Sequence, residues 1–402
     1  MREGLLVLLA GCCMAFPACR ERAHPEADGS SGGKTSASVG NTEVPYFRNS
    51  FELSRQYPRI DAERAVIYMP EGSWSYVHHP SVTCFQGLFH VVYSNGMRGE
   101  DEPGQRVMYA TSPDFIHWSE PVVLAEPGPG DYGTEKILTP GGIRVCNGRL
   151  TVYVAENDND GVSNQRLNPR LFVLASPDGK NWWHPVETGL AVFPCQRPLL
   201  ASSERYVMTC NRSFYYTEDP YGAEGWRKCE TAPQDQHAET TFEQVRPSLC
   251  EGMLFEHTDG TLYCLFRNST LPFDGYLWQA QSYDGGLSWT MPVKSGFSDN
   301  GTKSFFGALP DGRYLYVGTP DNTLPGARYP LVVALSDDGF EYDTCYILSD
   351  DHYEQQYDGR WKNGDYGYPF ALVRDGWVYV VVSRHKERLD ALKFKLSDLE
   401  KS

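Results

Sequence analysis

The chain has 402 residues, of which 41% are hydrophobic and 13% aromatic, with 38 glycines and 27 prolines. This apolar content is enough for a hydrophobic core and excludes a disordered chain, while the frequent Gly and Pro leave little room for long helices and favour a β-rich fold. Acidic residues outnumber basic ones by 52 to 36, and the net charge of −16 excludes broad contact with nucleic acid or an anionic membrane.

The first 19 residues have the pattern of an export signal. A short apolar run, too short to span a bilayer, ends in Leu9-Ala10-Gly11-Cys12, which resembles a bacterial lipobox. We interpret Cys12 as a lipidated residue; the alternative is a secretory signal cleaved near Ala18. Residues 20–45 are rich in Ser and Gly and predict a flexible tether. We therefore expect an exported lipoprotein, in the periplasm or at the cell surface, whose membrane contact is the lipid anchor alone.

The cysteines and most histidines carry no recognisable metal or redox motif. Eight of the 11 cysteines follow the leader without any C-x-x-C pair, so a zinc knuckle or a thioredoxin-like motif has no support. We interpret them mainly as small buried hydrophobes, with one or two disulfides as the alternative. The sequence therefore predicts neither a metal site nor a cofactor.

A repeated turn motif organises the rest of the chain. Segments with the pattern S-x-D followed by an aromatic residue recur, and SYDGGLSW (Ser282–Trp289) is the fullest copy. In such a turn, Asp accepts hydrogen bonds from backbone amides, Gly adopts a positive φ, and the aromatic ring packs on the hairpin. The repeated aspartates, including a looser copy and one near the C-terminus, are Asp114, Asp178, Asp219, Asp284, Asp338 and Asp398.

These segments resemble the Asp-boxes of sialidase-like (BNR-repeat) β-propellers. The resemblance implies one all-β propeller domain over residues 46–402, with six blades, or seven as the alternative. Each box would join the third and fourth strands of a blade. The last box lies near the C-terminus, so the run Ala65–Met69 is expected to supply the missing outer strand and close the ring.

Three stretches resemble active-site strands of sialidases. The stretch from Glu251 to Arg267 implies that Glu251 polarises the nucleophile and that Arg267 binds the substrate carboxylate. The stretch beginning at Arg328 implies a second carboxylate-binding arginine. In GYPFALVRDGWVYVVVS, Tyr368 matches the tyrosine nucleophile, which replaces the usual carboxylate in this class.

The first blade departs from the sialidase pattern. Where sialidases have a third arginine, this chain has Val77-His78-His79-Pro80, and the general acid has only Glu100, Asp101 and Glu102 as candidates. Asp101 is also a candidate for substrate binding. A His-His pair at a blade mouth resembles propeller α-L-rhamnosidases and ulvan-type polysaccharide lyases, which act next to a uronic acid. The resemblance implies catalytic roles for His78 and His79.

Further cations could neutralise an acidic sugar at the same mouth. Arg197, Arg246 and Lys303 precede or begin expected inner strands and are candidate substrate-binding residues. For the two arginines, an inter-blade ion pair is the structural alternative.

Three functions remain open at this point. The first is an exo-acting glycoside hydrolase that removes a terminal sugar at or next to a uronate or sialate. The second is a lyase that cleaves a uronate-containing polysaccharide by β-elimination, and the third is a non-catalytic glycan-binding lipoprotein. In each, the partner is an acidic oligo- or polysaccharide, and we expect a monomer.

Overall fold

The described part of the chain is built from β-strands. The computed structural model describes residues 46–70, 72–162, 165–231, 247–270 and 273–399, so the predicted leader and tether lie outside it. These ranges contain 28 strands, one 3-10 helix at Leu396–Leu399 and no α-helix, which confirms the all-β prediction. Within the same ranges, no helix has the length and apolar character needed to cross a membrane.

Five sheets have four antiparallel strands each and share one up-and-down order. Three of them consist of strands consecutive in the chain, a fourth omits one intervening short strand, and the fifth takes its outer strand from the N-terminal part. In sheet order, the strands are β3 (Tyr76–Phe85), β4 (Leu88–Gly96), β5 (Arg106–Ser112) and β6 (Val122–Ala125); β7 (Ile137–Cys146), β8 (Arg149–Asp158), β9 (Leu167–Ser176) and β10 (Val186–Glu187); β11 (Leu199–Leu200), β12 (Tyr206–Cys210), β13 (Ser213–Thr217) and β14 (Arg227–Lys228); β21 (Phe305–Ala308), β22 (Tyr314–Gly318), β23 (Leu331–Ser336) and β25 (Thr344–Ser349); β26 (Tyr366–Arg374), β27 (Trp377–Arg384), β28 (Arg388–Lys395) and β2 (Glu63–Tyr68).

A sixth large sheet departs from this pattern. Four of its strands pair antiparallel. Two short strands extend the sheet by parallel pairing, because one of them lies between two strand edges and hydrogen-bonds to both. The described residues thus form five four-stranded sheets, whereas six or seven blades were predicted. A small parallel pair completes the strands. The six-stranded order is β16 (Leu249–Glu256), β17 (Leu262–Asn268), β18 (Tyr276–Ser282), β20 (Val293–Ser298), β1 (Arg48–Asn49) and β24 (Glu341–Tyr342), and the pair is β15 (Glu230–Thr231) with β19 (Ser288–Trp289).

The predicted closing strand is present. β2 pairs antiparallel with β28, with Ala65 opposite Ala391, so residues close to the start of the described chain complete the last sheet. Buried apolar clusters lie between consecutive sheets, and one of them joins Val82 of the first sheet to Phe370 of the last. The sheets therefore form a closed propeller, in which the hydrophobic core is divided among the inter-sheet layers.

The Asp-box turns lie where the resemblance placed them. Five of them connect the third and fourth strands of successive sheets. In the fullest box, Asp284 Oδ1 accepts hydrogen bonds from the backbone N–H groups of Leu287 at 3.0 Å and Ser288 at 2.9 Å. Asp398 differs, because it lies in the 3-10 helix and accepts from the Lys395 N–H at 3.0 Å.

The cysteines behave as small core residues. The eight cysteines of the described ranges are all free thiols, and six of them are buried. The alternative of one or two disulfides is therefore wrong for this part of the chain.

Candidate active site

Three candidate residues lie at β-bulges on the first strands of their sheets. His79 on β3, Glu251 on β16 and Tyr368 on β26 each fall at a shift in strand register. Their φ angles are 54°, 51° and 51°, in the left-handed region that non-glycine residues rarely adopt. A bulge inserts one extra residue and redirects the side chain, and such strained residues cluster at functional sites.

Tyr368, Glu251 and Arg267 form one connected group. The Tyr368 hydroxyl donates a short hydrogen bond to Glu251 Oε1, and Arg267 Nη1 donates to both carboxylate oxygens, at 3.0 and 2.8 Å. The side chains of Arg267 and Glu251 are 21% and 17% exposed, so a ligand can reach them. The structure therefore brings together the three residues for which the sequence implied a nucleophile, its base and a carboxylate-binding cation.

The charges of this group are fixed by burial and by pairing. Burial opposes ionisation of Glu251, but Arg267 and the Tyr368 hydroxyl outweigh it and lower the pKa of this carboxyl. Burial, with the Glu251 charge, raises the pKa of Tyr368 well above its ordinary value. At neutral pH, Tyr368 is therefore a neutral hydroxyl next to a carboxylate that can accept its proton.

Arg328 and Lys303 add buried positive charge beside Tyr368. The Arg328 guanidinium lies 5.9 Å, and the Lys303 ammonium 4.9 Å, from the centroid of the Tyr368 ring. Arg328 is only 3% exposed and donates through Nη2 to the Gly301 carbonyl at 3.3 Å. Its Nε and Nη1 have no hydrogen-bond partner among the described residues. Because a buried guanidinium rarely leaves donors unpaired, Arg328 is suited to bind an anion.

His78 and His79 also lie next to Tyr368. The centroid of the His78 ring lies 3.9 Å, and that of the His79 ring 5.3 Å, from the centroid of the Tyr368 ring. Burial lowers the pKa of His78 well below its ordinary value and that of His79 to about 3, so both imidazoles are neutral at neutral pH. A glycine is required at position 367, because a Cβ there would lie 2.8 Å from His78 Cε1.

Glu100 is the acidic candidate that the structure places against the histidines. Its Oε1 lies 3.3 Å from His79 Nε2, and its Oε2 accepts a hydrogen bond from Lys386 Nζ at 2.5 Å. Burial opposes the charge on Glu100, yet Lys386 and His79 lower its pKa to about 2. Glu100 is therefore a carboxylate and not a proton donor at neutral pH.

Asp101 lies beside Glu100 in the chain and bonds to an arginine that the sequence did not single out. Arg166 Nη2 donates to both Asp101 oxygens, at 3.3 and 3.0 Å. The Arg166 guanidinium also lies 4.1 Å from the centroid of the Phe193 ring, which packs on His79. Burial raises the pKa of Asp101 despite this pairing. No motif marks Arg166, since it precedes β9 in a polar loop and only the fold brings it here.

Asp299 is a second residue that the sequence did not reveal. It is 1% exposed, and its Oδ1 has no partner among the described residues, whereas Oδ2 accepts from the Gly301 N–H at 2.8 Å. Burial raises the pKa of Asp299 to about 7. The adjacent Asn300 Oδ1 accepts from the Arg328 backbone N–H at 3.1 Å, so this loop positions Arg328.

Two further arginines, Arg197 and Arg246, were predicted to bind the substrate. Arg197 Nη1 contacts Thr83 Oγ1 at 3.5 Å and the Ile143 carbonyl at 3.4 Å, and its guanidinium lies 5.1 Å from the Phe370 ring. These contacts join neighbouring sheets, and substrate binding by Arg197 stays a prediction. Arg246 lies outside the described residues.

Comparisons with known proteins agree with this architecture. The family model of the BNR repeat-like domain matches residues 89–380, and no curated protein matches the chain. Among solved structures, a sialidase is 18% identical with a TM-score of 0.63, over 87% of this chain and 35% of that one, so this chain spans about a third of its length. A protein of unknown function from Dyadobacter fermentans is 17% identical with a TM-score of 0.61, over 84% of this chain and 99% of that one.

A further solved structure carries the same fold. A mutant of Trypanosoma rangeli sialidase that displays trans-sialidase activity is 13% identical with a TM-score of 0.60, over 85% of this chain and 60% of that one. At these identities the likeness concerns the fold. Because the family model matches most of the chain and the structural neighbours share its architecture, the chain belongs to the BNR repeat-like family of sialidase-like β-propellers.

Proposed function

We propose that this protein is an exo-acting glycoside hydrolase that removes a terminal sugar at or next to a uronate or sialate. The observation that carries the proposal is the bonded group Tyr368–Glu251–Arg267 with Arg328 beside it. A neutral nucleophile paired with a carboxylate base and flanked by cations suits a sugar that carries its own negative charge. The missing third arginine of the sialidase pattern supports a non-sialidase branch.

Substrate binding would be set by the buried cations. The two unpaired donors of Arg328 and the unpaired Nε of Arg267 would hold the sugar carboxylate. Lys303 donates to the Cys195 carbonyl at 2.8 Å, which fixes its position beside Tyr368. These charges orient the sugar so that its anomeric carbon faces the Tyr368 hydroxyl.

The reaction would proceed in two steps. In the first, Tyr368 Oη bonds to the anomeric carbon and passes its proton to Glu251, the glycosidic bond breaks, and the leaving oxygen takes a proton from Asp101, whose pKa is raised. In the second, water attacks the anomeric carbon and gives a proton to Asp101, while Tyr368 leaves and recovers its proton from Glu251. The net reaction adds one water to the glycosidic bond.

The lyase alternative has its own observation. Two neutral imidazoles lie against Tyr368, and His78 Nε2 has no partner among the described residues. An imidazole lone pair could remove the C5 proton of a uronate whose carboxylate is neutralised by Arg328, with Tyr368 donating to the leaving oxygen. This chemistry adds no water to the products.

We also propose that the six-stranded sheet is a sixth blade of the ring. Its first four strands repeat the order of the five four-stranded sheets. A buried cluster that includes Leu254 and Val207 joins it to one neighbouring sheet, and a cluster that includes Phe255 and Tyr316 joins it to the other. On this count, His79, Glu251 and Tyr368 belong to three blades of one ring.

The test is turnover by Tyr368→Phe, Glu251→Gln and His79→Ala on a panel of acidic glycans. We expect each of the first two to lower kcat by at least about a hundredfold, because each removes a group that bonds to or takes a proton from the reacting atoms. His79→Ala should also lose turnover, since its ring packs against Tyr368 and Glu100. The matched control is Tyr283→Phe, on an Asp-box turn with 66% exposure. Wild-type turnover by both Tyr368→Phe and His79→Ala, with native circular dichroism, would refute the assigned site.

A further inference from the structure

The hydrogen bonds around His78 and His79 favour a proton on Nδ1 of each ring. Ser383 Oγ donates its one proton to the Gly367 carbonyl at 3.1 Å, so it must accept from His78 Nδ1 at 2.7 Å. Ser94 Oγ likewise donates to the His78 carbonyl at 3.0 Å and accepts from His79 Nδ1 at 2.9 Å. In the neutral rings, both Nε2 atoms therefore carry lone pairs.

Neither of these two lone pairs faces a donor in the contacts described for it: one has no partner, and the other faces a carboxylate oxygen. His78 is fully buried, and its Nε2 has no hydrogen-bond partner among the described residues. His79 Nε2 faces Glu100 Oε1 at 3.3 Å, which sets one acceptor against another. Unpaired acceptors in a buried site are costly, so a positive charge between them would relieve the arrangement.

A β-bulge is the reason that two consecutive histidines share one site. In a regular strand, successive side chains point to opposite faces of the sheet. The register shift between His78 and Ser81, together with the left-handed φ of His79, breaks this alternation and brings the ring centroids within 4.6 Å. Glu100 reaches the same place from the loop after β4, with its second oxygen bonded to Lys386.

The positive charge that would relieve these acceptors could be a proton on His79 or a metal ion. A proton on His79 Nε2 would satisfy the contact with Glu100 but would leave His78 Nε2 unpaired. A metal ion would satisfy both nitrogens and the carboxylate. The ligand atoms all lie within 4.8 Å of one another. The 3.3 Å separation also matches the spacing of about 3.3 Å between two ligands of tetrahedral zinc at about 2.0–2.1 Å.

We propose that His78 Nε2, His79 Nε2 and Glu100 Oε1 bind a divalent transition-metal ion of the zinc class. Two imidazoles and one carboxylate are a set that such ions prefer, and three protein ligands leave a position open, as in catalytic zinc sites. Ser383, Ser94 and Lys386 are positioning residues, since each orients a ligand through its other polar atom. The sequence predicted no metal because the third ligand is distant in the chain and the adjacent histidines match no ligand spacing.

The site goes beyond the proposed function and does not depend on the reaction. With the ion bound, His79 and Glu100 would be its ligands, next to the Tyr368–Glu251 group. Metal binding is measured without substrate, so failure of this proposal and failure of the proposed hydrolase are separate results.

The test is metal binding to the full chain after treatment with a chelator. Equilibrium dialysis against Zn²⁺ should give one bound ion per chain, and Co²⁺ should give visible d–d absorption without the strong near-ultraviolet band of thiolate ligands. The absence of that band excludes binding by the free cysteines. His78→Ala and Glu100→Gln should each weaken affinity at least about tenfold, and Ser94→Ala roughly 10–100-fold. The control is His117→Ala, whose side chain is 81% exposed on an Asp-box turn.

A second measurement on the wild-type chain covers variants that fail to fold. With ¹¹³Cd²⁺ bound and histidines labelled with ¹⁵N, coupling should appear at the Nε2 atoms of two histidines. The proposal is overturned if no stoichiometric ion binds, if the ligand variants bind as the wild type does, or if the ¹⁵N shifts show an imidazolium with protons on both nitrogens of His79.

Discussion

At the scale of single residues, the site depends on a backbone conformation that ordinary side chains avoid. His79, Glu251, Arg328 and Tyr368 all have φ angles between 51° and 54°. Each left-handed non-glycine residue costs of the order of 1–3 kcal/mol, so the surrounding sheets must impose these conformations. These four are among 15 described non-glycine residues with positive φ, and others, such as Asn147 and Asp375, lie in turns between adjacent strands.

Asp299 makes the stability of the protein depend on pH. Its pKa of about 7 lies above the ordinary value of 3.8, so the folded state holds a proton that the unfolded state releases. Stability is therefore lost as the pH rises from about 4 to 7, and the full cost of the buried charge is present above pH 7. We expect Asp299→Asn to be more stable relative to the wild type at pH 8 than at pH 5, by up to about 2 kcal/mol.

Denaturant unfolding of both proteins at the two pH values checks this expectation. The matched control is Asp61→Asn, which changes an exposed aspartate. An equal difference between Asp299→Asn and the wild type at pH 5 and pH 8 would contradict the raised pKa.

At the scale of elements, the Asp-box turns stabilise the hairpins without touching the site. Asp284 accepts two backbone N–H groups and also the Ser288 hydroxyl at 2.6 Å. We expect Asp284→Ala to lower the free energy of unfolding by about 1 kcal/mol, because the donors of the half-buried Leu287 and Ser288 lose their acceptor. Asp61→Ala should have almost no effect. Loss of turnover at a temperature where the variant remains folded would show that the box acts on the site.

The boxes and the bulges differ in how far the sequence reveals them. An Asp-box needs Asp, Gly and an aromatic ring at fixed positions, so its residues mark the turn and its place between strands. A bulge has no such composition, and His79, Glu251 and Tyr368 share no residue type. Their place in the site followed from resemblance to known strands, whereas Arg166 and Asp299 reach it through loops that no local pattern connects to it.

At the scale of the whole molecule, the chain is acidic but its site is cationic. The net charge is −16, yet Arg267, Arg328, Lys303, Lys386 and Arg166 are gathered around three paired carboxylates. An acidic surface disfavours contact with polyanions in general, and under the proposed function the buried cations would select a single acidic sugar. The sequence analysis named Arg267, Arg328 and Lys303 as candidates for this site, but it did not name Arg166.

Ring closure by β2 was predicted from the apolar run Ala65–Met69, and β2 pairs with β28. The insertion of β1 between β20 and β24 was not predicted, since two residues carry no periodic pattern. Ile67 on β2 is 5% exposed, whereas its neighbour Val66 is 41% exposed. We expect Ile67→Asp to lower the free energy of unfolding by at least about 3 kcal/mol, because it buries an unpaired carboxylate in the closing layer.

Val66→Asp is the control for closure, because it places the same charge on the outer face of the same strand. Chemical denaturation should show little change for this variant. Equal destabilisation by both substitutions would mean that β2 does not close the ring through its buried face.

The most direct test of the proposed function is the mass of the products that the full chain releases from acidic glycans, including sialosides, rhamnose-capped glucuronides and ulvan-type fragments. Hydrolysis predicts products heavier by one water per cleavage, including a free terminal monosaccharide, and no such release by Tyr368→Phe. Products that gain no water and contain an unsaturated uronate would contradict hydrolysis and favour the lyase. Absence of cleavage across the panel would contradict the proposed enzyme and favour a glycan-binding protein.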